Sequence, residues 1–94
     1  MNKGRTLGRI SGMLGIPPEV LVNVPRIEVI GHLQLRLENH LGIETYDAQR
    51  VLIRVAGGYL VVFGEQLVVG WIDRNEILLT GTVRSLSFQE GRHG

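Results

Sequence analysis

Residues 50–63 read RVLIRVAGGYLVVF and carry the clearest fold signal in the chain. Apolar side chains occupy every second position from Val51 to Val55, an alternation typical of a half-buried β-strand. The pair Gly57-Gly58 then supplies a two-residue turn of the primed type, because glycine adopts positive φ without steric cost. Residues 59–63 continue as a second strand, so this stretch predicts an antiparallel hairpin.

The same two-residue period precedes this hairpin. Over residues 27–37 the odd positions are apolar, apart from Gly31, and most of the even positions are polar. Eleven residues exceed the usual strand length of about five or six, so Gly31 is a natural place for a bulge, a bend or a break into two strands, and we expect a bend there. We also expect the odd-numbered side chains to face the core. Turn residues at 39–42 and 47–49 then flank a short strand at 43–46.

The second half of the chain continues in short apolar runs. Residues 64–66 predict a turn into a strand at 67–72, and residues 73–75 predict another turn before strands at 76–83 and 84–88. Seven or eight short strands without long crossovers favour consecutive antiparallel pairing. The predicted fold class is therefore mainly β, an antiparallel meander that forms a small β-sandwich or roll.

The first 25 residues follow a different pattern. Leu7, Ile10 and Leu14 recur at helical spacing, although the glycines among them each cost about 0.8–1 kcal/mol relative to alanine in a helix. We predict a short helical or extended segment over residues 1–25, followed by an antiparallel β domain over residues 26–94, within one domain overall.

The composition restricts the class of protein. With 44% hydrophobic and 20% charged residues, the 94-residue chain is expected to fold. The absence of cysteine excludes disulfides, thiolate zinc sites and a cysteine nucleophile. A net charge of +1 gives no reason to expect a nucleic acid partner. No run resembles an export signal or a spanning helix, so a cytoplasmic location is expected.

The polar residues offer one arrangement for catalysis. His32, Glu38 and His40 are the basis of an alternative reading as a small metal-dependent or hydrolytic enzyme. Their spacing matches no metal-binding motif, and His32 falls on the polar face of its strand. The serines and glycines form neither a G-x-S-x-G motif nor a phosphate-binding loop. We therefore predict no catalytic residue, metal, cofactor or small-molecule substrate, and a protein that is not an enzyme.

Two predicted strands, at 59–63 and 67–72, are apolar on both faces. Such strands are either buried on both sides or expose one face to another subunit or protein. The second possibility predicts self-association or binding of a protein partner. The predicted partner-binding residues are Tyr59, Val61, Phe63, Val68, Trp71 and Ile72.

The first half of the chain contains several short motifs, namely Ile16-Pro17-Pro18-Glu19-Val20, Val24-Pro25-Arg26-Ile27, Ile30-Gly31, Leu33-Gln34-Leu35 and Glu38-Asn39-His40. These motifs resemble the YabP/YqfC family of sporulation proteins, in particular its YqfC-type members. The resemblance implies an endospore-forming bacterium, production in the mother cell during sporulation, and frequent coding beside a larger sporulation membrane protein. It implies no reaction.

These implications lead to one functional expectation. The chain is expected to have an assembly or scaffold role in the mother cell at the developing spore, exerted through protein-protein contacts. The expected partner is a second copy or another protein, such as a sporulation membrane protein encoded nearby. The expected location is cytoplasmic or peripheral at the forespore membrane.

Overall fold

The computed structural model describes residues 23–91, which form one six-stranded sheet. Its strands are β1 (Arg26–Ile30), β2 (Gln34–Glu38), β3 (His40–Asp47), β4 (Arg50–Val55), β5 (Gly58–Ile72) and β6 (Glu76–Glu90). All neighbouring strands are antiparallel, which confirms the mainly β class. The predicted N-terminal helical segment lies outside the described residues, and within 23–91 there is no helix of the length and hydrophobicity needed to span a membrane.

The strand order is β1-β2-β6-β5-β4-β3. Consecutive strands pair everywhere except between β2 and β3, because β2 pairs with β6 instead. Only Asn39 separates β2 from β3, whereas an antiparallel hairpin needs a loop of about two residues. Asn39 adopts a positive φ of 67°, so the chain turns away from β2 at this residue.

The strands β5 and β6 are longer than the sequence predicts. The predicted turn at residues 64–66 and the predicted break before Arg84 are both wrong, since each strand runs through 15 residues. Where a turn was predicted, β5 has bulges instead. The pairing register with β6 shifts between Phe63 and Gly64 and again between Glu65 and Val68. A bulge adds residues to one strand and bends the sheet without ending it. Residues 23–91 therefore form six strands and not the seven or eight predicted.

The bulges divide the bent sheet into two halves. The β2 half consists of β1, β2, residues 68–72 of β5 and residues 76–80 of β6. The β4 half consists of β3, β4, residues 58–63 of β5 and residues 85–90 of β6. One core cluster joins buried side chains of both halves, namely Leu35, Leu37, Val51, Ile53, Val55, Leu60, Val62, Leu67, Ile77 and Leu79. The two halves thus supply the two sides of one core.

A bend was expected at Gly31, and the structure has a full turn there, which separates two strands. Gly31 has a φ of 57° and lies in the turn between β1 and β2. Of the odd-numbered residues expected to face the core, Leu35 and Leu37 are fully buried, whereas Val29 is 42% and Leu33 is 61% exposed. The expectation is wrong for the last two, because Leu33 lies in the turn and Val29 lies on an edge strand.

The hairpin between β4 and β5 is confirmed with its turn one residue earlier than predicted. Val55 pairs with Gly58, so the two turn residues are Ala56 and Gly57. Gly58 already belongs to the strand. A side chain there would collide with the backbone at Gln89, which explains why the ladder requires glycine at this position.

Candidate interaction surface

The six predicted partner-binding residues all lie on β5, on both sides of the bend. Their exposure differs widely. Val61 is 1% exposed, and Tyr59 is half-buried. The other four are exposed: Phe63 by 43%, Val68 by 52%, Trp71 by 42% and Ile72 by 47%.

In the β4 half, Val61 and Phe63 point away from the core cluster, because they alternate with the core residues Leu60 and Val62. Val61 is nevertheless buried, so it contributes almost nothing to the exposed surface. Phe63 pairs with Arg50 across the strands, and the Arg50 guanidinium lies 5.8 Å from the centre of the Phe63 ring. This cation-π contact partly occupies the ring face.

In the β2 half, the exposed residues among these six lie at one border of the sheet. Val68 lies opposite Thr80, and Trp71 lies opposite the half-buried Leu78. Both side chains point away from the core, whereas Ile72 lies opposite the buried Ile77 on the core side. We call residues 68–72 the β5 edge.

The β5 edge is paired on one side only within residues 23–91. The ladder between β4 and β5 covers residues 58–63 of β5 and goes no further. Leu67 still has neighbours on that side, since its N–H donates to the carbonyl of Ala48 and its carbonyl accepts from the Tyr46 hydroxyl. Beyond Leu67, the described part of the chain provides no strand beside the β5 edge.

Sequence reasoning missed some exposed apolar residues at the opposite border of the β2 half. Ile30 is 56% exposed and lies in one cross-strand row with Gln34, Thr80 and Val68. The sequence did indicate exposure of Ile30, because Ile30 occupies one of the even positions at 27–37, which the alternation directs away from the core. Leu33 beside it carried no such signal, since its odd position indicated burial.

His40 is held by hydrogen bonds at both ring nitrogens. The backbone N–H of Gly42 donates to Nδ1 at 3.1 Å, which makes Nδ1 an acceptor. Nε2 lies 2.7 Å from the carbonyl oxygen of Asp73, so in this arrangement Nε2 carries the proton and donates. His40 therefore connects the start of β3 to the turn between β5 and β6.

The structure does not bring together the residues of the enzyme alternative. His32 is exposed in the turn before β2, whereas Glu38 and His40 lie at the other end of that strand. Four residue steps along β2 alone correspond to about 13 Å. Among residues 23–91, no three His, Asp or Glu side chains are placed so that they could hold a metal ion.

An open cavity of about 350 Å³ adjoins His40. It is lined by Asn23, Asn39, His40, Leu41, Ala56 and Asn75. The Asn39 side-chain amide donates to the carbonyl of Val24 at 3.0 Å, and the His40 ring nitrogens are engaged as described. The cavity thus offers amide hydrogen-bonding groups and no carboxylate.

Asp73 organises the turn beside this cavity. Its Oδ1 accepts the backbone N–H of Glu76 at 2.8 Å and that of Asn75 at 2.9 Å. These two hydrogen bonds to the ionised form hold the pKa of the Asp73 carboxyl below its usual value. The carboxylate therefore acts as a turn-forming acceptor.

Comparison with known proteins identifies the relatives of this chain. The YabP family model matches residues 23–94. The chain is 32% identical over 88 residues to the uncharacterized protein YqfC of Bacillus subtilis (strain 168), covering 94% of this chain and 95% of that protein. No solved structure shows significant similarity. Because the family model matches most of the chain, and the relative is similar over nearly the full length of both proteins, the chain belongs to the YabP family.

Proposed function

We propose that this chain is a non-enzymatic sporulation protein that acts through protein-protein contacts in the mother cell, as an assembly or scaffold component at the developing spore. Its proposed location is the mother-cell cytoplasm or the periphery of the forespore membrane. Membership of the YabP family supports the sporulation context, because the sequence resembles the YabP/YqfC sporulation proteins.

The observation that carries the proposal is the composition of the β5 edge. Val68, Trp71 and Ile72, which all lie within residues 68–72 of β5, are each more than 40% exposed. Exposed apolar clusters at an open strand edge favour contacts with another protein, since contact removes apolar surface from water and pairs free backbone groups.

The polar residues support the non-enzymatic part of the proposal. His40 uses both ring nitrogens in structural hydrogen bonds, and His32 lies far from it across β2. A general base needs a nitrogen that can reach a substrate proton, together with a group that orients it. Neither histidine has that arrangement here.

A complementation experiment in the endospore-forming host tests this function. Deletion of the gene is expected to lower the number of heat-resistant spores, and expression of the wild-type chain in the mother cell should restore it. Expression only in the forespore should fail. Val68→Lys should fail because it places a charge on the β5 edge, whereas His32→Ala should restore sporulation.

Thermal melting of the purified variants must confirm that both are folded. Normal spore numbers after gene deletion would contradict the sporulation role. Loss of sporulation in folded His32→Ala, together with full activity of Val68→Lys, would favour the enzyme alternative instead.

A further inference from the structure

The β5 edge differs from the other sheet borders in its lack of charge. Residues 67–72 read LVVGWI and contain neither a charged residue nor a proline. The other border strands carry charges: β1 has Arg26 and Glu28, and β3 has Glu44 and Asp47. Charged residues and proline on edge strands normally prevent edge-to-edge association, so the β5 edge lacks that protection.

The ladder geometry shows which backbone groups of the β5 edge point outward. The N–H of Gly81 donates to the carbonyl of Leu33, toward the β2 side of β6. Along an antiparallel strand, the backbone N–H and C=O groups of successive residues point to alternate sides. The backbone groups of Leu79, two residues before Gly81, therefore point to β2 as well. Val69 lies opposite Leu79, so its own N–H and C=O point away from β6.

The same reasoning applies after the bulge at Gly70. The backbone N–H of Asp73 donates to the carbonyl of Glu76, so the backbone groups of Glu76 point to β5. Those of the next residue, Ile77, therefore point to β2. Ile72 lies opposite Ile77, and its N–H and C=O also point away from β6, to the side where residues 23–91 provide no strand. The β5 edge therefore presents donors and acceptors at both Val69 and Ile72.

We propose that the β5 edges of two copies of this chain pair antiparallel about a two-fold axis, forming a continuous sheet across the dimer. This inference rests on the proposed function, for which it names the partner. In a two-fold pairing, a strand meets its own sequence, so any charge on it is placed near its symmetry mate. Like charges across strands are destabilising, and the β5 edge has none.

Apolar side chains on both faces suit the same arrangement. Val68 and Trp71 lie on the outer face of the β5 edge, and Val69 and Ile72 lie on its inner face, so the edge offers apolar side chains to a second copy on both faces. A charged partner strand would gain no ion pair at this edge, which favours a second copy over an acidic or basic peptide.

Light scattering of the full-length chain after size exclusion, at micromolar concentration, tests the pairing. The expected mass is twice the 10.4 kDa of the chain. Val68→Lys should raise the dimer dissociation constant at least about tenfold, equivalent to 1.4 kcal/mol. The matched control is Ile30→Lys, since Ile30 is similarly exposed in the same cross-strand row but lies on β1. Ile30→Lys should leave the dimer intact.

Three results would overturn the proposal: a wild-type monomer, an unchanged dimer in folded Val68→Lys, or equal disruption by Ile30→Lys. A wild-type monomer that associates after deletion of residues 1–22 would assign the edge to the N-terminal segment. The spore assay separates this inference from the proposed function. A monomeric wild type whose Val68→Lys variant fails to sporulate would retain the function with another protein as partner.

Discussion

Leu35 of β2 lies directly opposite Leu79 of β6, and neither side chain has any exposed surface. This pair joins two strands that are separated in sequence by β3, β4 and β5. It places the first β-hairpin of the chain against the last one. The Leu35-Leu79 contact is thus part of the pairing that closes the β2 half around the core.

Replacement of Leu35 should measure the strength of this contact. Leu35→Ala is expected to lower the free energy of unfolding by about 2–5 kcal/mol, because it leaves a cavity in a fully buried site. Leu33→Ala is the matched control, since the same side chain is 61% exposed two positions away and should change stability by less than about 0.5 kcal/mol. Urea denaturation gives both values. Equal effects of the two substitutions would contradict the assigned burial.

The two hydrogen bonds of the His40 ring predict a structural role for this residue. His40→Ala should lower the free energy of unfolding by about 1–3 kcal/mol, because it removes the contact to Asp73 and leaves the N–H of Gly42 without its acceptor. His32→Ala, in the exposed turn, should have little effect. Denaturation by urea, with amide hydrogen exchange at Gly42, checks the prediction. Unchanged protection of Gly42 would argue against it.

Asp73 predicts a component of acid sensitivity. Its pKa is lowered in the folded chain by the backbone N–H groups of Glu76 and Asn75, bonds that the unfolded chain lacks. Its contribution to stability is therefore complete above the unfolded-state pKa and is lost as the pH falls through the folded-state pKa. Asp73→Asn keeps an acceptor oxygen but does not titrate in this range.

Unfolding free energy measured from about pH 2 to pH 5 should accordingly depend less steeply on pH in Asp73→Asn than in wild type. Asp73→Ala should in addition be less stable than wild type at neutral pH, because it removes the acceptor of the turn. Identical pH slopes in wild type and Asp73→Asn would exclude this contribution.

The bend in β5 and β6 depends on glycine. At Gly81, with a φ of 122°, an added Cβ would collide with the carbonyl oxygen of Gln66. At Gly31, with a φ of 57°, an added Cβ would meet no atom within 4 Å. Gly31→Ala should thus cost about 1 kcal/mol for its backbone conformation alone, and Gly81→Ala clearly more. Thermal melting of both variants would reveal a reversed order if the bend tolerated a side chain.

Turn and strand positions were largely predictable from the sequence, because they depend on neighbouring residues. The chain changes direction at Gly31, where a bend was expected, and the turn predicted at residues 47–49 is confirmed. At the second of these, Asp47 Oδ1 accepts the backbone N–H groups of Gln49 and Arg50, a local arrangement that an aspartate in a turn favours. The alternation at 51–55 likewise placed Val51, Ile53 and Val55 in the core correctly.

The candidate surface was predictable only in part. The sequence identified the apolar β5 residues, but it could not separate the buried Val61 from the exposed Val68, which both follow an apolar neighbour. Exposure depends on which strands lie beside each half of β5. The neighbouring strands change at the bend in β5, and the sequence predicted a turn there, at residues 64–66, instead of a bend within one strand.

The sequence by itself determined the antiparallel β class, the local turns and the family resemblance, since these depend on short segments of chain. Only the tertiary structure decided that β2 pairs with β6, that β5 and β6 run through their bulges, and that no other strand of residues 23–91 covers the edge at residues 68–72. Those outcomes depend on contacts between residues far apart in the chain. The free energy of each such pairing depends on how the side chains of the two halves pack in the shared core, and no local sequence pattern contains that information.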